Sequence, residues 1–328
     1  MKAVTFSQPG SAEVLQIQDV PQPSISEQEI LVQVAATALN RADIMQRQGM
    51  YPPPPGASDI LGLEVAGTVV KCDPQAKRFK EGDEVMALLP GGGYAEYVNI
   101  DEGLAMPIPK GISLQEAAAI PEVFLTAFQA LHWLGKMSKG DKVLIHAGGS
   151  GVGTAAIQLA RLMKAEIFTT ASAPKLAACE QLGAHHLIDY QSKSFEEVVA
   201  KATEGKGVDI ILDFIAAPYL LPNLNSLGMD GRLILLALMG GIKVDSFNML
   251  PILRKRIQLI GTTLRARSLT YKRELVADFS EKILPAFEEG SLKTVIDSYF
   301  PLEKVQEAHT YMEGNKNTGK IILTLTDS

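Results

Sequence analysis

The segment from Lys142 to Met163 restricts the fold of this chain more than any other segment. Val143–Ala147 is a short apolar run typical of a buried parallel strand. A glycine-rich turn follows, and Thr154–Met163 then has the small and apolar side chains of a helix. The glycines of the turn are Gly148, Gly149, Gly151 and Gly153.

A strand, a glycine turn and a helix in this order have a specific physical use. Glycine lets the backbone turn tightly and approach a phosphate with no Cβ atom in between. The helix N-terminus offers free amide groups and a partial positive charge to that phosphate. The strict G-x-G-x-x-G spacing is not met, because Thr154 replaces the third glycine in the frame that begins at Gly149. The turn alone therefore fits either a dinucleotide site or a glycine-rich turn of another α/β fold.

The pattern beyond the turn decides between these interpretations. From Asp141 the chain alternates between strand and helix over five or six units, which requires a parallel sheet with helices on both faces. The predicted strands are Val143–His146, Glu166–Thr170, His186–Tyr190, Val208–Ile215, Arg232–Leu238 and Gln258–Thr262. The predicted helices are Gly151–Met163, Pro174–Leu182, Phe195–Thr203 and Pro218–Leu227. The fold class is therefore α/β with a doubly wound parallel sheet, whose first unit carries a dinucleotide site.

The regions on either side have a different character. Residues 1 to about 120 contain short strands separated by Gly/Pro turns, which predicts a β-rich, partly open barrel. Ser113 and Glu116 form a capping box, and an apolar helix is expected at Val123–Leu134. The predicted elements of the tail are helices Tyr271–Glu289 and Leu302–Glu313 and strand Lys320–Leu325. We expect the tail to complete the first domain, so the predicted domains are 1–122 with 266–328, and 123–265.

Composition excludes several classes of function. The 328 residues carry a net charge of −6 with both signs scattered, so no nucleic-acid partner is expected. No apolar run approaches the roughly 20 residues of a membrane span, and the first residues resemble a strand rather than a signal peptide. Cys72 and Cys179 are the only cysteines, which is typical of free thiols in a reducing compartment. We therefore expect a cytoplasmic protein without a membrane partner.

The end of the second predicted strand indicates which dinucleotide is bound. An Asp or Glu is expected there to bind the ribose 2′-hydroxyl of NADH, but the sequence continues without a carboxylate to Ser172 and Lys175. A hydroxyl and a cation suit a 2′-phosphate, so NADPH is favoured. The alternative for Lys175 is a solvated helix residue. Tyr190, after the third strand, could contact the same phosphate or the adenine, or could be an ordinary strand-end tyrosine.

Several longer runs resemble one known superfamily. They are Ala38–Asp43, Gly62–Gly67, Gly82–Val85, Gly92–Tyr97 and His146–Gly153. Together they resemble the medium-chain dehydrogenase/reductase superfamily over essentially the whole chain. Asn40–Ser58, Leu88–Gly93 and Leu238–Gly241 are similar to its zinc-free quinone oxidoreductase branch, and in particular to the tumour-suppressor-inducible quinone oxidoreductase group.

The resemblance implies an architecture and a cofactor. The expected subunit has a Rossmann cofactor domain and a GroES-like barrel domain, an NADPH site in the cleft, and a homodimeric partner. Zinc enzymes of the superfamily carry a cysteine near position 40 and a Gly-His-Glu motif near 62–64, where this chain has Asn40 and Gly62-Leu63-Glu64. Without thiolate or imidazole ligands no zinc site is expected. We interpret Glu64 as a charged residue whose hydrogen bonds are satisfied inside the barrel.

The resemblance also implies a function, the NADPH-dependent reduction of small quinones without a metal. The implied catalytic residues are Tyr51, Asn40 and Ser150. Tyr51 would face the acceptor and donate to a developing oxyanion, Asn40 would hydrogen-bond near the nicotinamide, and Ser150 would touch the phosphates or shape the site. The candidate cofactor-binding residues, from the glycine turn and the resemblance together, are Asn40, Gly148, Gly149, Ser150, Gly151, Val152, Ser172, Lys175, Tyr190, Leu238, Met239, Leu264, Arg265 and Lys320.

Simpler roles remain for these residues at this point. Asn40 could only cap the following helix, Tyr51 could only pack against prolines, and Ser150 could be needed only for its small side chain. Two other functions also remain. One is an NADPH-dependent reductase of activated alkenes, such as enones or enoyl thioesters, and the other is a non-catalytic NADPH-binding sensor.

Overall fold

The computed structural model describes residues 1–325 and divides into two compact units. The first unit comprises Met1–Leu125 together with the chain from Leu264 onward, and the second comprises Thr126–Thr263. The boundaries predicted from the sequence follow residues 122 and 265.

The strands, numbered along the chain, are β1 (Lys2–Thr5), β2 (Gln16–Asp19), β3 (Glu29–Ala38), β4 (Glu64–Cys72), β5 (Glu84–Leu88), β6 (Tyr97–Asp101), β7 (Ala105–Pro107), β8 (Lys142–Ile145), β9 (Glu166–Ala171), β10 (His186–Asp189), β11 (Val208–Asp213), β12 (Leu227–Leu235), β13 (Gln258–Gly261), β14 (Ile296–Pro301) and β15 (Lys320–Thr324). The α-helices are α1 (Arg41–Arg47), α2 (Leu114–Ala117), α3 (Pro121–Phe128), α4 (Gly151–Leu162), α5 (Ala173–Leu182), α6 (Phe195–Ala202), α7 (Leu220–Ser226), α8 (Leu250–Lys255), α9 (Leu269–Lys282), α10 (Leu284–Glu288) and α11 (Val305–Glu313).

The second unit is built on a parallel sheet in the order β10-β9-β8-β11-β12-β13. Every pairing in this sheet is parallel. The order reverses direction between β8 and β11, which is where ligands bind in open α/β sheets. The strands are apolar because helices cover both faces: Leu144, Phe168 and Ile211 have no exposed surface. The α/β fold class is confirmed.

The first unit is β-rich. Its large sheet has the order β14-β15-β3-β4-β5-β7, with β6 pairing β3. The tail joins this sheet because β15 pairs antiparallel with β3, where Ile322 lies opposite Ala38. Leu39, Tyr94 and Ile321 belong to the buried apolar cluster of this unit. The GroES-like barrel is thus completed by the tail.

Several element bounds differ from the sequence prediction for physical reasons. The single helix expected at Tyr271–Glu289 is two helices, α9 and α10, because Pro285 has no amide hydrogen to continue the first. The strand expected at Arg232–Leu238 is β12, which begins at Leu227 and ends at Leu235. The helix expected at Val123–Leu134 starts at Pro121 and continues beyond Phe128 as a π-helical turn.

Two further prediction errors concern short elements. β14 was not predicted, because its residues alternate only between half-buried and exposed positions and therefore give little apolar signal. The helix expected at Leu302–Glu313 is α-helical only from Val305, after a 3₁₀ turn at Leu302–Lys304.

Candidate functional site

The glycine turn connects β8 to α4 in the second unit. Ser150 is the N-cap of α4, where its Oγ accepts a hydrogen bond from the Gly153 amide at 3.0 Å. A Cβ atom on Gly148 would lie 2.0 Å from Thr169 Oγ1, and one on Gly153 would lie 2.3 Å from the Ala147 carbonyl oxygen. Close packing, against a side chain at Gly148 and against the backbone at Gly153, therefore requires both glycines. The amides of Gly151 and Val152 in the first turn of α4 have no intrahelical acceptor, so the turn fits a phosphate.

The residues predicted to hold a 2′-phosphate lie at the same edge of this sheet. Ser172 is the N-cap of α5, and its side chain makes no capping hydrogen bond. The aliphatic stem of Lys175 packs on the glycine turn, since a Cβ atom on Gly149 would lie 2.7 Å from Lys175 Cδ. Tyr190 follows β10, is 43% exposed, and bonds through its amide to the Ala171 carbonyl at 3.4 Å. The local chemistry therefore includes a hydroxyl and an ammonium beside the turn.

The loop after β12 carries two further candidates. Leu238 and Met239 are 51% and 56% exposed, which is unusual for apolar side chains of this size. The Met239 amide donates to the Phe214 carbonyl at 3.0 Å, and the Gly240 amide donates to the Ile215 carbonyl at 2.8 Å. The loop therefore rests on the loop that follows β11.

A buried polar network supports this part of the second unit. His146 Nε2 lies 2.8 Å from Asn223 Oδ1, and its Nδ1 lies 3.0 Å from Thr170 Oγ1. The Asn223 amide group donates to Asp213, whose carboxylate also accepts the Ala216 amide. Burial lowers the pKa of His146, so its imidazole is neutral. No role was predicted for this histidine, but it links the carboxyl ends of neighbouring strands.

Three of the buried polar residues in the first unit form a cluster. Lys320 Nζ donates to the Leu39 carbonyl at 2.6 Å, to Asn40 Oδ1 at 2.7 Å and to Glu64 Oε1 at 2.8 Å. Asn40 Nδ2 donates to the same Glu64 oxygen at 2.9 Å. The other oxygen of Glu64 accepts the Glu122 amide at 2.8 Å. Glu64 is thus satisfied inside the barrel, and Lys320 and Asn40 are directly bonded.

Asp43 lies beside this cluster in the first turn of α1. Its carboxylate accepts the amides of Asn40 at 2.8 Å and Gly62 at 3.0 Å, and the Tyr94 hydroxyl at 3.3 Å. Complete burial raises the pKa of Asp43 to about 6, although the two backbone donors oppose the shift. Asp43 and Tyr94 lie in two of the runs that resemble the superfamily, but no role was predicted for either residue, and only their contacts in the fold reveal one.

Tyr51 and Arg265 form a second pair in the first unit. The guanidinium carbon of Arg265 lies 5.4 Å from the centroid of the Tyr51 ring. Arg265 donates to the Pro90 carbonyl and to Gln46 Oε1, both at 2.7 Å, while its buried Nη1 has no partner among residues 1–325. Burial raises the pKa of Tyr51, so its hydroxyl is protonated at neutral pH. Leu264, next to Arg265, is buried at 7% exposure.

Comparisons with known proteins agree with this architecture. A family described as "Alcohol dehydrogenase GroES-like domain" matches residues 26–110, and one described as "Zinc-binding dehydrogenase" matches residues 151–281. The human protein named quinone oxidoreductase is 32% identical over 99% of this chain and 98% of its own length.

Solved structures give the same result. A quinone oxidoreductase of Pseudomonas syringae pv. Tomato DC3000 has a TM-score of 0.88 at 27% identity, covering 99% of both chains. The CurK enoyl reductase has a TM-score of 0.88 at 28% identity, also covering 99% of both chains. A Rossmann sheet with a glycine turn, joined in one chain to a GroES-like barrel, defines a nicotinamide-dependent oxidoreductase. The chain belongs to the medium-chain dehydrogenase/reductase superfamily.

Residues 1–325 contain neither a cluster of metal ligands nor a membrane-spanning helix. Among residues 1–325, no three His, Cys, Asp or Glu side chains come close enough together to hold a metal ion. At positions 40 and 64 the side chains instead contact the ammonium group of Lys320. Within the same residues no helix is long and apolar enough to cross a bilayer.

Proposed function

We propose that the protein reduces quinones with NADPH and needs no metal ion. The observation that carries this proposal is the pairing of Tyr51 with Arg265, because it combines a protonated hydroxyl with a cation whose Nη1 is uncommitted. A quinone that gains a hydride becomes an anion whose charge is spread over its oxygens. Donors held in a water-poor site stabilise such a charge strongly.

Each residue of the pair has a distinct part in this chemistry. Bound NADPH supplies the electron pair. The Tyr51 hydroxyl donates a hydrogen bond to the acceptor oxygen as negative charge develops there. Arg265 remains charged throughout, since a guanidinium does not lose its proton in proteins. Gln46 and the Pro90 carbonyl hold two of its nitrogens, so Nη1 is oriented without further ordering.

In this proposal Asn40 acts on the cofactor rather than on the acceptor, and Lys320 acts through Asn40. The Asn40 amide donates to Glu64 and the Ala38 carbonyl, and its Oδ1 accepts from Lys320. A carbonyl oxygen has a second lone pair, which remains for a donor such as the nicotinamide carboxamide. Lys320 has all three of its donors committed and therefore holds Asn40 in place.

The preference for NADPH rests on the edge beside the glycine turn. Ser172 and Lys175 supply a hydroxyl and an ammonium there, while the side chain of Ser172 is not used to cap α5. A 2′-phosphate gains charge-assisted hydrogen bonds from such a pair. Lys175 is well suited to this role, because its stem is already packed on Gly149 and loses little freedom on binding.

The second candidate function is the reduction of activated alkenes. The full-length likeness to an enoyl reductase favours it, and an enolate also places negative charge on an oxygen that Tyr51 could stabilise. The third, an NADPH-binding sensor, needs only the second unit and its glycine turn.

NADPH oxidation by the purified protein, followed at the nicotinamide absorbance, distinguishes these functions. A panel of quinones and enones is used, and NADH is measured in parallel. Fast turnover with quinones and a preference for NADPH support the proposal. Turnover with enones alone assigns the protein to the second function. Saturable NADPH binding with no turnover on either class of acceptor overturns both enzymatic assignments.

A homodimer completes the proposal, and the free edge of β13 is its interface. β13 is the last strand of the parallel sheet, so one of its edges has no partner strand within residues 1–325. Leu259 on this strand is 45% exposed, and Leu253 on the preceding helix is 78% exposed. Exposed edge strands associate readily with a second copy. Light scattering after gel filtration tests this, with Leu259→Lys expected to give monomers.

The compartment remains a proposal as well. Cys72 and Cys179 are both free thiols, which is typical of a reducing compartment such as the cytoplasm.

A further inference from the structure

A buried polar network connects α1 to α11 in the first unit. Asp43 Oδ2 lies 3.3 Å from the Tyr94 hydroxyl, which lies 3.4 Å from His309 Nε2. His309 Nδ1 lies 3.2 Å from Arg47 Nη1. The network ends at Glu313, whose carboxylate pairs with Arg47 Nη2 at 2.5 Å. Asp43, Tyr94, His309 and Arg47, hereafter the Asp43–Arg47 network, are almost completely buried.

Arg47, at one end of the network, fixes the direction of every hydrogen bond in it. Arg47 can only donate, so Nδ1 of His309 must accept. The proton of the neutral imidazole is then on Nε2, which donates to the Tyr94 oxygen. The Tyr94 hydroxyl proton is consequently directed at Asp43. Burial lowers the pKa of His309 to about 3, so the ring stays neutral at physiological pH.

The network fixes α1 at both ends. Asp43 is in the first turn and Arg47 in the last, and the two are bridged through Tyr94 and His309. An acidic group at the N-terminus and a basic group at the C-terminus both suit the helix dipole. Asn40 immediately precedes α1, and Tyr51 follows its end by four residues. The helix therefore connects two residues of the proposed active site.

Asp43 also ties α1 to the start of β4. Its two oxygens accept the amides of Asn40 and Gly62. Gly62 is two residues before Glu64, which bonds to Asn40 and Lys320. The carboxylate therefore sets the distance between the segments that carry Asn40 and Glu64. An isolated buried carboxylate would be costly, and the Tyr94 hydroxyl supplies its only side-chain donor among the described residues.

We propose that Tyr94 and His309 are positioning residues, which hold Asp43 and Arg47 so that α1 presents Asn40 and Tyr51 in a productive geometry. The proposal rests on the proposed function only for its kinetic readout. Neither residue contacts the acceptor or the cofactor in this role. Misplacing reacting groups by about 1 Å can lower turnover up to about 100-fold, so the kinetic effect is measurable.

The ionisation of Asp43 gives the network a pH signature. Asp43 faces the neutral hydroxyl of Tyr94 and two charged groups, Lys320 on β15 and Arg265 in the segment after β13. Both cations favour the carboxylate, whereas burial opposes it. Protonation of Asp43 removes an acceptor from the amides of Asn40 and Gly62. Turnover is therefore expected to fall as the pH decreases through the pKa of Asp43.

The first test needs no substrate. The chain has five histidines, and the ¹⁵N signals of His309 are assigned in NMR spectra as those missing in His309→Gln. The proposal requires a proton on Nε2 and no titration of this ring between pH 5 and 8. A ring that titrates in this range, or that carries its proton on Nδ1, overturns the network. This outcome is independent of whether quinones are the acceptors.

The second test compares kinetics of matched variants on whichever acceptor the enzyme reduces. Gln at position 309 can both accept from Arg47 and donate to Tyr94, whereas Leu can do neither. We expect His309→Leu to lower kcat about tenfold or more and His309→Gln to retain most of it. Tyr94→Phe removes the side-chain donor to Asp43, so the acidic limb of this variant's turnover-versus-pH profile should move to higher pH. Tyr97→Phe, a half-buried tyrosine of β6 outside the network, is the control.

The kinetic outcomes separate positioning from general stability. A lower melting temperature with unchanged kcat, KM and pH profile in Tyr94→Phe and His309→Leu would reduce the network to a stabilising role. Equal losses of kcat in His309→Leu and His309→Gln would overturn the assignment of hydrogen-bond directions. If no acceptor is reduced at all, the proposed function fails, while the NMR test still decides the network.

Discussion

At the scale of single residues, one buried charged group of the first unit, the ammonium of Lys320, has a complete set of partners. The ammonium of Lys320 has three oxygen acceptors, including Glu64, and both residues are almost fully buried. A buried ion pair contributes little net stability, because desolvation offsets the attraction, but breaking one is costly. Its retention next to Asn40 therefore indicates a role in orienting that side chain.

Replacing Lys175 tests the cofactor preference at this scale. Lys175→Ala should weaken NADPH binding by about tenfold or more and leave NADH nearly unaffected, since an ion pair with the 2′-phosphate is lost. Binding is measured by fluorescence titration with both cofactors. Lys201→Ala, an exposed lysine of the same unit, is the control. Equal losses for NADPH and NADH would contradict the phosphate assignment.

Tyr51 can be tested by removing only its hydroxyl. Tyr51→Phe keeps the ring beneath Arg265 but cannot donate to an oxyanion, so kcat should fall by about 10- to 100-fold. NADPH affinity should stay nearly constant. Steady-state kinetics with a quinone, together with cofactor titration, measure both. Tyr299→Phe, an exposed tyrosine of β14, is the control. An unaltered rate would leave Tyr51 as a packing residue only.

At the scale of elements, the turn between β8 and α4 combines two demands on the same glycines. Gly148 is needed for packing, because Thr169 Oγ1 occupies the space of a Cβ atom and also donates to the Ile145 carbonyl at 2.9 Å. The amides of Gly151 and Val152, at the start of α4, have no intrahelical acceptor and are left for a ligand. Local structure and binding thus require the same backbone.

Gly148→Ala tests this packing. The new methyl group must displace Thr169 and weaken its bond to Ile145, so we expect a loss of about 1–3 kcal/mol in unfolding free energy. Urea unfolding followed by circular dichroism gives the value. Gly314→Ala is the matched control, since its backbone is right-handed helical and its nearest contact would be at 3.4 Å. The same midpoint for both variants would show that the turn relaxes freely.

At the scale of the whole molecule, buried titratable groups make stability depend on pH with opposite signs. The fold raises the pKa of Asp43, so the buried ionised carboxylate lowers the free energy of unfolding. This destabilisation decreases as the pH falls below about 6. The pKa of His309 is lowered, so the unfolded chain takes up a proton that the folded protein cannot, and stability is lost as the pH falls below about 6.5.

His309→Gln isolates one of these two contributions. Between pH 7 and pH 5 the wild-type protein should lose about 2 kcal/mol of unfolding free energy through His309, and the variant should not. The pH-dependent contribution of Asp43 to the unfolding free energy is present in both proteins, so it cancels in the comparison. Urea unfolding at the two pH values measures the difference. Parallel losses in both proteins would show that His309 is already accessible to protons in the fold.

Much of the fold followed from local signals in the sequence. The alternation of apolar strands with helices after Asp141 predicted the parallel sheet, because such strands must be buried on both faces. Ser113 with Glu116 marked the start of a helix through hydrogen bonds made within a few residues. The errors occurred where a local break was missed, as at Pro285, or where a strand such as β14 carries almost no apolar signal.

The candidate site was predicted unevenly for the same reason. The sequence alone determined the glycine turn and the missing carboxylate near Ser172, since each is a local feature of a single strand-turn-helix unit. Only the tertiary structure brought Lys320 to Asn40, 280 residues away, and Arg47 to His309, 262 residues away. Such contacts depend on strand pairing and helix packing between distant segments, and no spacing in the sequence encodes them. The buried charges that orient the site were therefore decided by the fold.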